Sequence, residues 1–367
     1  MHDTVRRGGQ SILVASVIAG AAFSCAPRAA SLVVVSREAV VPTSYVAQFD
    51  TIWTRFDEQY PSFEYKRVDW KAQRAAYRAR AQRVRSEAEF IALACDMLQP
   101  LRDLHVWFVD PWGQVVPTYK PQSVANFDGG RWRRALRGTG FVQRGDGIGE
   151  AYVGGFGYLY IQHWDGASDI AALDLALTRM RESAGLIIDV RTNGGGTDST
   201  ALAFAARFTV HTFAASFAQV RNGPRYDDLD PPEENTLAPR GTWQYVRPVV
   251  IIAGRAGFSA TESFVAAMKT LPNVTVIGDT TGGASGYPKT FPLGNGWRFS
   301  VPQKIAFGPD RQPIEWRGVA PHITLPWAPS LYERDRDPLI DAAVGVLAER
   351  TGIFRIAPGG DTMSVIR

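Results

Sequence analysis

The stretch around position 250 sets the terms for the whole chain. Val249-Val250-Ile251-Ile252-Ala253 is an apolar, mostly β-branched run held between Pro248 and Gly254. So short and sharply bounded a run reads as a buried strand. Gly254-Arg255-Ala256-Gly257-Phe258-Ser259 then turns the chain, and Phe264, Ala267 and Met268 fall at the spacing of a short helix. A serine at the mouth of a strand-to-helix turn exposes its hydroxyl. The amide of the next residue, Ala260, lies at the helix N-terminus and points toward any oxyanion that develops there. The other reading of Ser259 is a helix cap, and the turn by itself leaves both open.

The same strand–loop–helix order occurs upstream. Gly157-Tyr158-Leu159-Tyr160-Ile161 reads as a strand, a helix carries Ile170, Leu173, Leu177 and Met180, and Gly185-Leu186-Ile187-Ile188-Asp189-Val190 is the next strand. Arg191-Thr192-Asn193-Gly194-Gly195-Gly196-Thr197-Asp198 then leads into a helix through Ala201, Phe204, Ala205 and Phe208. Three consecutive glycines let the backbone approach a ligand closely or take positive φ. Amides in such a loop bind an anion or oxyanion; a plain flexible turn is the alternative. The Gly-x-x-x-x-Gly-Lys-Ser/Thr spacing of a phosphate loop is absent. The fold class that follows is α/β. With 367 residues, 45% hydrophobic and 21% charged, the chain has the composition of a soluble globular protein with ample core. A net charge of +4 without a basic, aromatic-interleaved cluster argues against nucleic acid as a partner.

The N-terminus reads as a targeting segment. Arg6 and Arg7 precede the apolar run Ser11 to Phe23, too short for a comfortable membrane span. Residues 1–24 are therefore an export signal. Ala22-Phe23-Ser24-Cys25 resembles a lipoprotein cleavage box, which would make a lipid on Cys25 the chain's one membrane attachment; cleavage near Ala30 is the alternative. Cys95 reads as a small buried apolar residue. Residues 44–108 form a helical domain, 109–150 an irregular or hairpin connection, 151–350 the core and 351–367 a tail. Within 221–245, acidic pairs in a Pro-rich loop without histidine make a poor metal site. Asn295-Gly296 is a strong hairpin turn.

Five histidines occur, and His105, in Leu101-Arg102-Asp103-Leu104-His105, stands beside an acidic residue at the start of an apolar run. A base and a hydrogen-bonded histidine at a strand edge are both open on that segment alone. Several segments in order resemble the C-terminal-processing and tricorn-type serine peptidases: Leu101 to His105, Gly157 to Ile161, Asp189 to Gly196, Ser259-Ala260-Thr261-Glu262, Gly278-Asp279-Thr280-Thr281-Gly282-Gly283 and Gly318-Val319-Ala320-Pro321. The resemblance covers roughly Val46 to Ala348. It is to the tricorn-like branch, which includes relatives of interphotoreceptor retinoid-binding protein, and no separate peptide-binding module is visible.

The resemblance implies a crotonase-like core of ββα units behind an N-terminal helical domain, and a serine peptidase needing no cofactor and no metal. Ser259 would be the nucleophile, His105 the general base and Glu315 the group that orients it, with Ala260 and Gly195 as oxyanion donors. Gly194, Gly196 and Gly283 would contact substrate. Asp103 is the alternative orienting group. The processing branch carries a lysine base where this chain has Ala284; Lys289 is out of register and Lys269 lies inside a helix. Leu104 stands where the tricorn branch has a serine, and His322 replaces the usual aspartate. Burial and a carboxylate would pull the imidazole in opposite directions, giving an activity midpoint between roughly 6 and 7.5. The implied protein is a peptidase of a bacterial cell envelope acting on peptides or proteins. A binding protein for hydrophobic ligands or peptides is the alternative, and an acyl-coenzyme A enzyme is disfavoured by export.

Overall fold

The computed structural model describes residues 44–122, 124–325, 327 and 336–353. The segment 1–24 read as an export signal, Cys25 and the tail beyond Ile353 lie outside the described residues. Four helices come first: α1 (Tyr45–Gln59), α2 (Phe63–Lys66), α3 (Trp70–Ala81) and α4 (Glu87–Leu98). Their starts follow from side chains: Ser44, Asp69 and Ser86 accept from the amides of Ala47, Ala72 and Glu89. α1 stops at Tyr60, which is extended because Pro61 follows it.

Next come β1 (Trp107–Val109), β2 (Val115–Pro117), α5 (Gly129–Ala135), β3 (Val142–Gln143), β4 (Ile148–Val153) and β5 (Phe156–Ile161). The stretch 109–150 is thus not irregular throughout. The core continues with α6 (Ala167–Arg179), β6 (Leu186–Asp189), α7 (Asp198–Ala205), β7 (Phe213–Val220), β8 (Glu233–Leu237), β9 (Val249–Ala253) and α8 (Ala260–Lys269). It closes with β10 (Val274–Gly278), β11 (Pro288–Pro292), β12 (Arg298–Pro302), β13 (Lys304–Phe307), β14 (Ile323–Thr324) and α9 (Pro338–Thr351).

A seven-stranded sheet, ordered β14-β10-β9-β6-β5-β4-β3, is parallel from β14 to β5 and antiparallel beyond. Strand alternation sends Val249, Ile251 and Ala253 into the core containing α8, and Val250 and Ile252 into the core containing α9. Each fully buried Val or Ile contributes about 1.5–3 kcal/mol. Covered on both faces, β9 is the buried strand its composition predicts, and its end presents the turn to α8.

A smaller antiparallel sheet, β11-β12-β1-β2, packs against the N-terminal helices. Phe291, Phe299 and Val301 share one core cluster with Phe49, Phe56 and Phe90. The helical region therefore closes on a hairpin that the chain supplies some 190 residues after β1. The hairpin turn has Asn295 at φ 55° and Gly296 at φ 82°, the positive pair that a two-residue loop requires. A third sheet, β13-β7-β8, takes up part of the acidic excursion as β8.

Candidate active site

Ser259 occupies the hinge between β9 and α8 with φ 60° and ψ −129°. Strain of this kind in a non-glycine residue costs about 1–3 kcal/mol and persists only where the surroundings over-determine it. Here they do. The Ser259 amide donates to Ala284 O at 2.9 Å and to Glu262 Oε2 at 3.3 Å. Gly195, at φ +100°, lies so close that a Cβ there would meet Ser259 Cβ at 2.6 Å and its Oγ at 3.2 Å. The Thr261 and Glu262 amides donate to Phe258 O and Ser259 O, and Ser259 and Glu262 form a reciprocal capping box, so the serine also caps α8. The Ala260 amide takes no intrachain acceptor among the described residues.

His105 sits in the turn before β1. Asp103 Oδ1 accepts its amide at 2.8 Å, and Ser300 Oγ on β12 donates to its carbonyl at 2.7 Å. The imidazole meets Phe258 edge-on, with ring centroids 6.1 Å apart, and Phe258 immediately precedes Ser259. That contact brings the histidine to the serine hinge. Burial, aided by the Lys66 charge and opposed by Asp103, pushes the imidazole down to about 4. Desolvation therefore outweighs the carboxylate at this imidazole. The ring is neutral near pH 7, as a base must be.

Glu315 makes no hydrogen bond or ion pair with His105, contrary to the orienting role anticipated for it. Its Oε1 accepts from Lys66 Nζ at 2.6 Å and its Oε2 from the Ser285 amide at 2.8 Å. Lys66 Nζ also donates to Asp103 Oδ2 at 2.9 Å, which the Tyr60 hydroxyl reaches at 2.7 Å. All three ionic side chains are buried. Asp103, the alternative, bonds the His105 backbone and not its ring, and Nδ1 has no hydrogen-bond partner. One ammonium cannot neutralise two buried carboxylates. Asp103 is accordingly held below its ordinary value by Lys66 against the opposing effect of burial, while burial and the Asp103 charge push Glu315 up to about 8.

The glycine loop needs one correction. The Gly195 amide donates to Asn193 Oδ1 at 2.9 Å, so it is already engaged within the loop. The Gly194 and Gly196 amides take no intrachain acceptor among the described residues. Gly283 is buried, and its amide donates to Glu262 Oε1 at 2.8 Å, so it faces the protein and not a substrate. Glu262 also accepts from Ala284 N at 2.8 Å and Thr281 Oγ1 at 2.5 Å. Burial pushes it up to about 7. It is the post that carries the 281–284 loop.

Lys289 is exposed on β11, its ammonium over the Phe291 ring at 5.3 Å. His322 Nδ1 accepts the Val276 amide at 3.0 Å, a structural contact. Burial raises the Cys95 thiol to about 11, which keeps it protonated. Lys66 is the residue sequence reasoning missed. Its one signal was rarity, since the chain has six lysines against a large excess of arginine.

Residues 155–325 match the model of peptidase family S41, and residues 42–99 that of the tricorn protease C1 domain. A candidate peptidase from Parabacteroides merdae is 28% identical with a TM-score of 0.75, over 83% of this chain and 97% of that one. Mature CPAF (12% identity, TM-score 0.65, 84% and 98% covered) and the tricorn protease (15%, 0.55, 84% and 37%) share the fold. No curated protein matches the chain. Over these residues the chain is similar to the S41 peptidases and, in its N-terminal helical region, to the tricorn protease C1 domain.

Proposed function

We propose that this chain is an exported peptidase that hydrolyses peptide bonds through Ser259, with His105 as general base. One observation carries the reading: a strained serine hinge, packed on Gly195 and adjoining a buried, neutral histidine through Phe258. His105 takes the hydroxyl proton as Ser259 Oγ attacks the scissile carbonyl. The carbonyl electron pair moves to oxygen, where the Ala260 amide and an amide of the Gly194–Gly196 loop stabilise it. The imidazolium returns its proton to the leaving amine, leaving an acyl-enzyme. Water, deprotonated by His105, then releases the acid.

The N-terminal charge, apolar run and Cys25 support export to a bacterial cell envelope, with a lipid on Cys25. No described helix is long and apolar enough to cross a membrane. The alternative, a binding protein on the same fold, is favoured by the unpartnered Nδ1 of His105 and by Leu104 in place of a serine.

Fluorophosphonate labelling, with the modified residue located by mass spectrometry, decides between them. Label is expected on Ser259, and Ser259→Ala is expected to abolish labelling and peptide hydrolysis while keeping the fold. Losing a cap would cost only about 1 kcal/mol. Full activity in Ser259→Ala sinks the assignment, and an unlabelled, inactive wild type favours the binding protein.

A further inference from the structure

Lys66 belongs to the N-terminal helical region, yet its ammonium lies among groups from both sides of the candidate site. Asp103, at 2.9 Å, is in the turn whose backbone holds His105. Glu315, at 2.6 Å, fixes the amide of Ser285, next to the Ala284 carbonyl that receives the Ser259 amide. The chain separations are 37 and 249 residues, so no local structure holds these pieces in register. We infer that Lys66 is a positioning residue of the peptidase site, a single buried charge that clamps the His105 turn to the loop supporting Ser259. The inference rests on the Ser259–His105 reading and adds that the N-terminal region completes the site.

A positively charged clamp has a second consequence. The charged groups that act on His105 are Asp103 on its own turn and Lys66 on α2; these in turn meet Tyr60 at the end of α1 and Glu315 on the loop before β14. Asp103 and Lys66 act on the imidazole with opposite signs. Lys66 cancels part of the attraction that Asp103 would exert on a proton, and so helps keep the base unprotonated. With Lys66 gone, Asp103 keeps the hydrogen bonds from Tyr60 and the His105 amide that favour its ionised form against burial, and the charge it keeps acts on the ring without the opposing ammonium.

The test is Lys66→Met, alone and with Glu315→Gln. The double variant removes the ammonium together with the carboxyl that faces it and is the form to use if the single one fails to fold. Two readouts are needed in folded protein: the rate of fluorophosphonate labelling, and the His105 titration followed by ring-proton NMR. Labelling is expected to fall about 10²-fold, the scale of a small misplacement in a positioned site. The His105 midpoint is expected to rise by about one pH unit. Lys66→Arg should recover part of the rate. A wild-type rate or an unmoved His105 midpoint in a folded variant overturns the inference. Failure of the nucleophile reading is separate, since it shows as an unlabelled Ser259 in the wild type, and the NMR titration reads Lys66 in that event too.

Discussion

Two buried cations each hold two carboxylates in this molecule, and they do different work. Arg191 meets Asp189 with Nε at 3.1 Å and Nη2 at 2.8 Å, and Asp337 with Nη1 at 3.0 Å. Asp337 also receives the Leu339 and Ile340 amides at the start of α9, and Asp189 the Tyr158 hydroxyl at 2.7 Å. The planar fork addresses both acids at once and rivets β6 to α9. Lys66 offers a point charge to Asp103 and Glu315, with the second acid pushed up to about 8. The first cluster is closed; the second holds one carboxyl at the edge of ionisation. Equal charge counts therefore yield a rivet in one place and a titratable clamp in the other.

Breaking the rivet should give the largest stability loss. Arg191→Met strands two buried carboxylates, a change that costs about 3–5 kcal/mol against a total stability of about 5–15 kcal/mol. Lys66→Met should cost less, because Glu315 accepts a proton near neutrality. Urea unfolding of the two variants at pH 7 measures the difference, and equal losses would erase the contrast between the clusters.

The clamp also predicts a pH effect of intermediate size. A carboxyl raised from its usual 4.5 to about 8 stabilises the fold fully below pH 4.5, and that contribution is lost as pH rises through 8. Glu262, raised to about 7, loses its share earlier. The melting temperature should therefore fall from about pH 4.5 to about pH 8, and Glu315→Gln should remove the upper part of that fall. An unchanged slope in Glu315→Gln would assign the decline elsewhere. His105 has the opposite sign: depressed to about 4, it contributes above 6.5 and loses that contribution as pH falls toward 4.

What the sequence disclosed follows the same division. β9, the Ser259 turn and the triple glycine are local patterns, so strand composition, the bounding Pro248 and Gly254 and the glycine run made them legible. Lys66 was not legible. In Phe63-Glu64-Tyr65-Lys66-Arg67 it looks like any solvated charge on a short helix, and its burial depends on acids distant in sequence. The burial of His105 against Phe258 and Trp107, which depresses its imidazole, was not legible for the same reason, since it is a tertiary property. Gly195 packs against Ser259, but the direction of its amide is set by the Asn193 side chain, which spacing does not reveal.

The smallest expected effect isolates the buried lysine from the exposed one. Lys289 lies nearer in sequence to the Ser/Lys arrangement of the processing branch than any lysine on the histidine side does. A lysine acting as base must lose its proton near neutrality, and that takes deep desolvation. Lys289 is exposed on β11, with its ammonium over Phe291 and within reach of water. It therefore lacks the surroundings that would make it a base. Lys289→Ala should leave the labelling rate and its pH profile unchanged and alter stability by less than about 0.5 kcal/mol, as a surface substitution does. A dead Lys289→Ala variant with an intact melting curve would place the proton acceptor on β11 and return His105 to a packing role.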